Sequence, residues 1–200
     1  MNIYLWRMRL QDENKKAAIF HATIKLVNEI GFASASIAKI AKEANVSPAT
    51  IYIYYKNKDD LLVSIFVDIQ LKKNSLGMKG FDEAAPLKDS LRKLWHNSFK
   101  FVSQNQDLLQ YMDQFLNSPY SDLVDDPQDK GGFQHFLSAF ESAAAEKIIK
   151  KVDFNLLTAF IFPPLAKLAN SRTSGDFKMT RRNIETAFEM AWDAIKLDSP

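Results

Sequence analysis

SIAKIAKEANVSPATIYIYYKNKDDLL, from Ser36 to Leu62, reads as two short helices joined by a tight turn and followed by the start of a third. Ile37, Ile40, Ala41 and Ala44 recur at helical spacing, so a first short helix buries that edge while Lys39, Lys42 and Glu43 stay in water. Ser36 offers a side-chain cap for its first turn. The turn falls at Asn45, which tolerates left-handed backbone better than most residues, and Val46 follows as an apolar plug between the helices. Ser47 caps the second helix, and Pro48 takes its first position, where the missing N–H costs nothing. In that helix Ile51 and Tyr55 face inward, which leaves Ala49, Thr50, Tyr52, Ile53 and Tyr54 on or near the outer side. Exposed aromatic and β-branched residues on so short a helix call for an outside partner. Asn57, with Asp59 and Asp60 behind it, opens the third helix with carboxylates where the macrodipole favours them. This order of elements is a helix-turn-helix, the layout that places its second helix in the major groove of DNA.

With the upstream segment AIFHATIKLVNEIGFASAS (Ala18 to Ser36), the region resembles the N-terminal DNA-binding domain of the TetR family of bacterial transcriptional regulators. The residues carrying the resemblance are Ala22, Gly31-Phe32, Ser36-Ile37, Ile40-Ala41, Ala44, Val46-Ser47, Thr50-Ile51-Tyr52, Tyr55, Lys58 and Leu61. Asn45 stands where the family mostly has Gly, and Tyr55 where it mostly has Phe; both substitutes can do the same structural job. The resemblance covers roughly residues 13 to 66, and it implies an all-α fold. An N-terminal three-helix helix-turn-helix domain is expected over residues 1–60, and a C-terminal helical ligand-binding and dimerisation domain over 61–200.

Composition agrees with this organisation. The chain has 200 residues, 46% of them hydrophobic, with six Gly and seven Pro, which suits a sizeable core and long helices. It has no cysteine, which excludes disulfides, thiolate metal sites and thiol redox sensing. A bacterial cytoplasmic location is expected. The opening MNIYLWRMRL lacks the apolar run of a signal peptide, and LLTAFIFPPLA is too short and proline-broken to cross a bilayer. The net charge of +2 is unevenly spread: residues 1–80 carry 12 Lys and Arg against 7 Asp and Glu, and residues 81–200 carry 14 against 17. The basic end holds the motif, as a phosphate-facing surface would, although many solvated helical faces carry as much charge.

Further along, the pattern predicts helices from Lys58 to about Asn74, from Pro86 to about Ser103, from Leu108 to Leu116, from Phe133 to Lys150, from Phe154 to Asn170 and from Thr180 to Leu197. Breaks fall near Gly77 and Gly80, and the acidic stretch NSPYSDLVDDPQDKGG reads as a loop carrying a turn or a mobile lid. In the last two helices Leu157, Ile161, Leu165 and Leu168 form one apolar stripe, and Ile184, Ala187, Phe188, Ala191, Trp192 and Ile195 another. Either stripe can face its own subunit. The family resemblance implies instead a homodimer through these two helices, and hence a roughly palindromic double-stranded DNA operator.

Several residues are candidates for touching DNA. The resemblance implies phosphate contacts for Tyr52 and Tyr54, the alternative being half-buried packing residues, and for Lys58, the alternative being a solvated lysine. Thr50 and Ile53 are placed to meet thymine methyls, and Ala49 is small enough for close approach to base edges. Ser36, Lys39 and Ser47 complete the candidate surface. Arg7 and Arg9, preceding the first helix, form either a minor-groove arm or a frayed terminus. Residues 81–200 hold 12 of the 15 phenylalanines, consistent with an ordinary core or with a greasy cavity. The resemblance implies an effector pocket there for a small, largely hydrophobic or aromatic molecule. Trp95, Phe99, Tyr111, Met112, Phe115, Phe136 and Phe140 are candidate lining residues, with His96, Asn97, Gln114 and His135 as polar handles.

Enzyme chemistry finds no footing. The chain offers no HExxH, no Glu-x-x-His iron pair, no phosphate-cradling glycine loop and no Gly-x-Ser-x-Gly elbow. His21, His96 and His135 are scattered, so no metal site and no cofactor is expected. The expected role is a ligand-responsive DNA-binding regulator, most simply a repressor. The alternative is a helical ligand-binding or interaction protein that has lost DNA binding, against which the intact Thr50-Ile51-Tyr52 and Lys58 speak.

Overall fold

Not one Gly or Pro interrupts the first thirty residues, and α1 accordingly runs as a helix over Ile3–Ser34. This start overturns the reading of Arg7 and Arg9 as an arm preceding the first helix, since both positions lie inside it. Ile19, Ala22, Thr23 and Val27, at helical spacing, are buried. The helix is broken at Gly31 (φ 75°, ψ 164°), a region open essentially to glycine alone. A Cβ there would meet nothing within 4 Å, so backbone conformation rather than space requires the glycine. The break turns Phe32 inward.

The computed structural model describes residues 3–124 and 132–197. After α1 come α2 (Ile37–Glu43), α3 (Pro48–Tyr54), α4 (Lys58–Gly77), α5 (Leu87–Gln104), α6 (Gln106–Leu116), the 3-10 turn η1 (Pro119–Leu123), α7 (Gly132–Ala145), α8 (Phe154–Ala169) and α9 (Arg181–Ile195). The fold is all-α; among the described residues the β contribution is a single antiparallel bridge, Ile149 to Lys196. That bridge explains why α7 stops at Ala145 short of the expected Lys150: Lys147 turns left-handed (φ 61°) and the chain pairs with the end of α9. Part of the expected loop, Pro119–Leu123, is ordered as η1 under a Ser118 cap. The lid expected over its remainder falls on residues 125–131, outside the described residues.

The described chain divides into two compact units, residues 3–70 with 107–124, and residues 71–106 with 132–197. The boundary expected at 60/61 therefore falls inside the first unit. Leu61, Leu62, Ile65, Phe66 and Ile69 of α4 are all buried, and α6 returns to join them. Phe115 stacks on Phe66 with ring centres 4.2 Å apart and meets Phe32 edge-on at 5.9 Å. The Tyr111 hydroxyl donates to the Leu62 carbonyl at 2.9 Å. Burial pushes the Tyr111 phenol well above its ordinary pKa, which keeps that donor protonated. Asn28 of α1 donates to the Asp107 carbonyl (2.9 Å) and accepts from Gln114 (3.1 Å).

In the second unit α5 packs against α7, α8 and α9. Its apolar face is buried throughout: Leu87, Leu91, Leu94, Trp95, Phe99 and Val102. The stripes considered for a dimer surface are largely this unit's own core, because Leu157, Ile161 and Leu165 of α8 and Phe188, Ala191, Trp192 and Ile195 of α9 are buried within it. Exposed apolar side chains lie on other faces of the same helices: Leu156 (51%), Phe160 (54%) and Met190 (69%).

A charged clasp joins α5 to α9. Lys88 reaches Glu189 at 2.7 Å, Arg92 bonds both Glu185 and Glu189 at 2.8 Å, and His96 meets Glu185 at 2.8 Å. Hydrogen bonds from Lys88 and Arg92 hold Glu189 below the usual carboxylate range. At Glu185 burial pushes upward, but the bonds from His96 and Arg92 outweigh it and the net shift is downward. A carboxyl whose folded pKa lies below its unfolded one stabilises the fold fully above the ordinary value of 4.5 and loses that contribution as pH falls through the folded value. Melting temperatures across an acid pH series should therefore fall below that point, modestly, since both carboxylates are more than a third exposed. An Arg92→Met variant, less stable at neutral pH, should lose less on acidification; parallel curves for the two proteins would remove the clasp as the cause.

Candidate nucleic-acid interface

Each turn of the motif is fixed by a local hydrogen bond. The Ser36 hydroxyl accepts from the Lys39 N–H at the start of α2 (3.3 Å). At the other end Asn45 takes φ 53°, and the Val46 N–H reaches back to the Ala41 carbonyl at 2.9 Å, closing the helix under a left-handed residue. Ser47 accepts from the Thr50 N–H (3.1 Å), and the two hydroxyls lie 2.9 Å apart. Asn57 accepts from the Asp60 N–H at 2.8 Å while the Asp60 carboxylate takes the Lys56 N–H at 2.7 Å, a reciprocal cap for α4. α3 is thereby clamped at its first turn and anchored by Ile51, which is fully buried.

The outer side of α3 is exposed where the pattern places it. Tyr52 is 56% and Ile53 74% exposed, Ala49 is exposed, and Thr50 is half-buried beside its cap. Three other candidates are engaged inside the unit. The Tyr54 hydroxyl donates to the Asp12 carboxylate on α1, and the Lys16 ammonium lies 5.2 Å from the Tyr54 ring centre. The bond to Asp12 pushes the Tyr54 phenol up to about 12. Lys58 donates to the Phe32 carbonyl at 2.6 Å and to that of Ala33 at 3.4 Å, covering carbonyls beyond the Gly31 break. Lys39 donates to the Ser34 carbonyl at 3.1 Å and stays exposed. Lysines at these positions thus brace the end of α1. Asp12 and Lys16 escaped the sequence reading; their spacing of four puts them on one face of α1, but nothing local says that this face meets α3.

The residues read as effector-lining fall in both units. Tyr111, Met112 and Phe115 belong to the core of the first. Trp95, Phe99, Phe136 and Phe140 belong to the second, where Phe136 contacts Phe140 (4.7 Å), Phe154 (5.8 Å) and Phe162 (6.0 Å). Trp95 is fully buried edge-on to Phe188 at 5.9 Å, and its indole N–H has no acceptor. Of the polar handles, His96 bonds Glu185, Asn97 donates to the Gly77 and Lys79 carbonyls at 3.2 and 2.8 Å, and Gln114 bonds Asn28. The His135 side chain lies outside the described residues. No helix among the described residues is long and apolar enough to cross a membrane.

Two family models match the chain: "Bacterial regulatory proteins, tetR family" over residues 19–65, and "Tetracyclin repressor-like, C-terminal domain" over residues 86–196. The crystal structure of a TetR family transcription regulator from Marinobacter aquaeolei is 32% identical, covers 95% of this chain and 100% of its own, and superposes with a TM-score of 0.85. An HTH-type transcriptional regulator of Haemophilus influenzae is 27% identical over 190 residues, which is 94% of this chain and 100% of that relative. A fatty acid metabolism regulator protein of Bacillus subtilis is 30% identical over 98 residues, 49% of this chain and 50% of that protein.

Proposed function

The chain belongs to the TetR family of bacterial regulatory proteins, and from that premise we propose that it is a cytoplasmic repressor that holds a palindromic operator as a homodimer and releases it when a small, largely apolar molecule binds the second unit. It is a DNA-binding transcriptional regulator rather than an enzyme. One observation carries the DNA reading: Tyr52 and Ile53 stand exposed on a helix whose every other constraint is spent holding it still. Tyr52 takes a phosphate, Thr50 and Ile53 meet thymine methyls, and Ala49 lets the helix approach. Ser36, Ser47, Lys39 and Lys58 flank the groove, the two lysines serving first as braces for α1.

The effector sits among Trp95, Phe99, Phe136 and Phe140. A buried indole N–H without an acceptor costs about 1–3 kcal/mol, so a molecule with an apolar body and one acceptor, such as a carbonyl or carboxylate, fits that surrounding best. The fatty acid metabolism regulator relative supports an acyl compound. Effector and operator then select different populations of the same protein.

Dimerisation uses the outward faces of α8 and α9, where Leu156, Phe160 and Met190 are more than half exposed. A Phe160→Glu, Met190→Glu variant should sediment as a monomer with an unchanged helical spectrum; a dimer of undiminished affinity would move the interface elsewhere. The function itself is tested by fluorescence anisotropy of the purified protein on DNA upstream of its own gene across a salt series. Tight, sequence-dependent binding that weakens with salt and is reversed by an added acyl compound is the expected result. Absence of sequence-dependent binding there and in a genome-wide fragment selection would leave a fold that has lost its DNA function.

A further inference from the structure

We propose that Asp12 is an internal stand-in for a DNA phosphate, occupying the Tyr54 hydroxyl in the DNA-free protein and thereby lowering its affinity for any duplex. The inference rests on the DNA-binding reading above. Tyr54 is the last residue of α3, two positions beyond Tyr52 and next to Ile53, the two exposed large apolar residues of that helix. Its hydroxyl has a single proton to give, and that proton goes to the Asp12 carboxylate. A carboxylate and a phosphate are interchangeable as acceptors for such a donor, so the position a backbone oxygen would take is already filled by the chain itself.

A cation stands beside this contact. Lys16, one helical turn after Asp12 on α1, holds its ammonium 5.2 Å from the Tyr54 ring centre. Asp12 and Lys16 are both exposed, so the trio lies at the surface of the first unit. Approaching DNA must either displace the carboxylate from the hydroxyl or bring a phosphate up to a fixed negative charge; both weaken binding in a way that does not depend on base sequence. Displacement frees the Tyr54 hydroxyl, beside whose ring the Lys16 ammonium already stands. Such a brake lowers affinity for an operator and for other sequences by the same factor, and leaves the ratio between them to the base contacts.

The test uses the full chain and a short random-sequence duplex, read by fluorescence anisotropy at several salt concentrations. Asp12→Ala removes charge and acceptor together and should tighten binding roughly 3- to 10-fold. Asp12→Asn removes the charge but leaves an acceptor for the hydroxyl, and should gain less. Tyr54→Phe should weaken binding more in the Asp12→Ala background than in the wild type, cancelling most of the gain there. Melting temperatures of the wild type and the four variants separate these effects from folding defects. Unchanged or weaker binding by a folded Asp12→Ala variant overturns the proposal, as does an equal effect of Tyr54→Phe in both backgrounds, which would mean that Asp12 acts only through its charge at a distance. Should neither the wild type nor folded Asp12→Ala bind any duplex at low salt, the DNA-binding reading falls and this inference falls with it.

Discussion

Truncating Phe115 to alanine is expected to destabilise the first unit by about 3–5 kcal/mol and to abolish operator binding, although the residue lies far beyond the DNA-binding motif. The ring is fully buried and is the hub of an aromatic cluster: stacked on Phe66, edge-on to Phe32, and within 6.3 and 6.4 Å of Tyr111 and Tyr120. Four neighbours on α1, α4, α6 and η1 lose their contact with one substitution, and no small movement of a single helix refills the space. Losing this cluster loosens Phe32, the residue that turns the chain after Gly31, and with it the carbonyls that Lys58 braces. Urea unfolding followed by far-UV circular dichroism measures the loss, and Leu116→Ala serves as the control, since Leu116 is next in sequence but exposed. A cost for Phe115→Ala no larger than that of the control would mean that α6 is not part of the folding unit that carries the helix-turn-helix.

The legible part of this molecule is the part written in short-range interactions. Ser36 and Ser47 cap as their positions imply, Asn45 takes the left-handed turn, and the Ile51 edge of α3 is buried, because each depends on partners a few residues away. The heptad-like face of α5 was equally readable from periodicity alone. Pairings between distant segments were not. Periodicity says that α6 and α8 each have an apolar face without saying which element covers it. Thus Tyr111 and Phe115, candidates for the effector lining, lie in the first unit while Trp95 and Phe140 lie in the second, and Leu157, Ile161 and Leu165, a stripe open to either a partner or its own subunit, fill their own unit. The same blindness hid Asp12 and Lys16. Lys58 shows a subtler case: a cation at a helix N-terminus opposes the macrodipole, and carbonyls released by the Gly31 break supply its negative partner from within.

Tyr52→Ala is expected to weaken operator binding by roughly 30- to 700-fold with no change in melting temperature. The estimate follows from symmetry. One exposed tyrosine giving up a phosphate hydrogen bond and its apolar contact costs about 1–2 kcal/mol; the proposed two-fold dimer would make that contact in each half-site, doubling the cost to about 2–4 kcal/mol. Stability is untouched because the side chain is more than half exposed and its hydroxyl has no partner within the described residues. Tyr52→Phe, keeping the ring and losing the hydroxyl, should weaken operator and random DNA alike, whereas Ile53→Ala should weaken the operator selectively if its methyls meet thymine. The doubling provides its own check. In the Phe160→Glu, Met190→Glu background, where a monomer meets a single half-site, the logarithm of the Tyr52→Ala effect should halve. A Tyr52→Ala protein that binds its operator within twofold of wild type would remove α3 as the reading element; an effect of the same size in dimer and monomer would keep α3 but remove the two-fold arrangement on DNA.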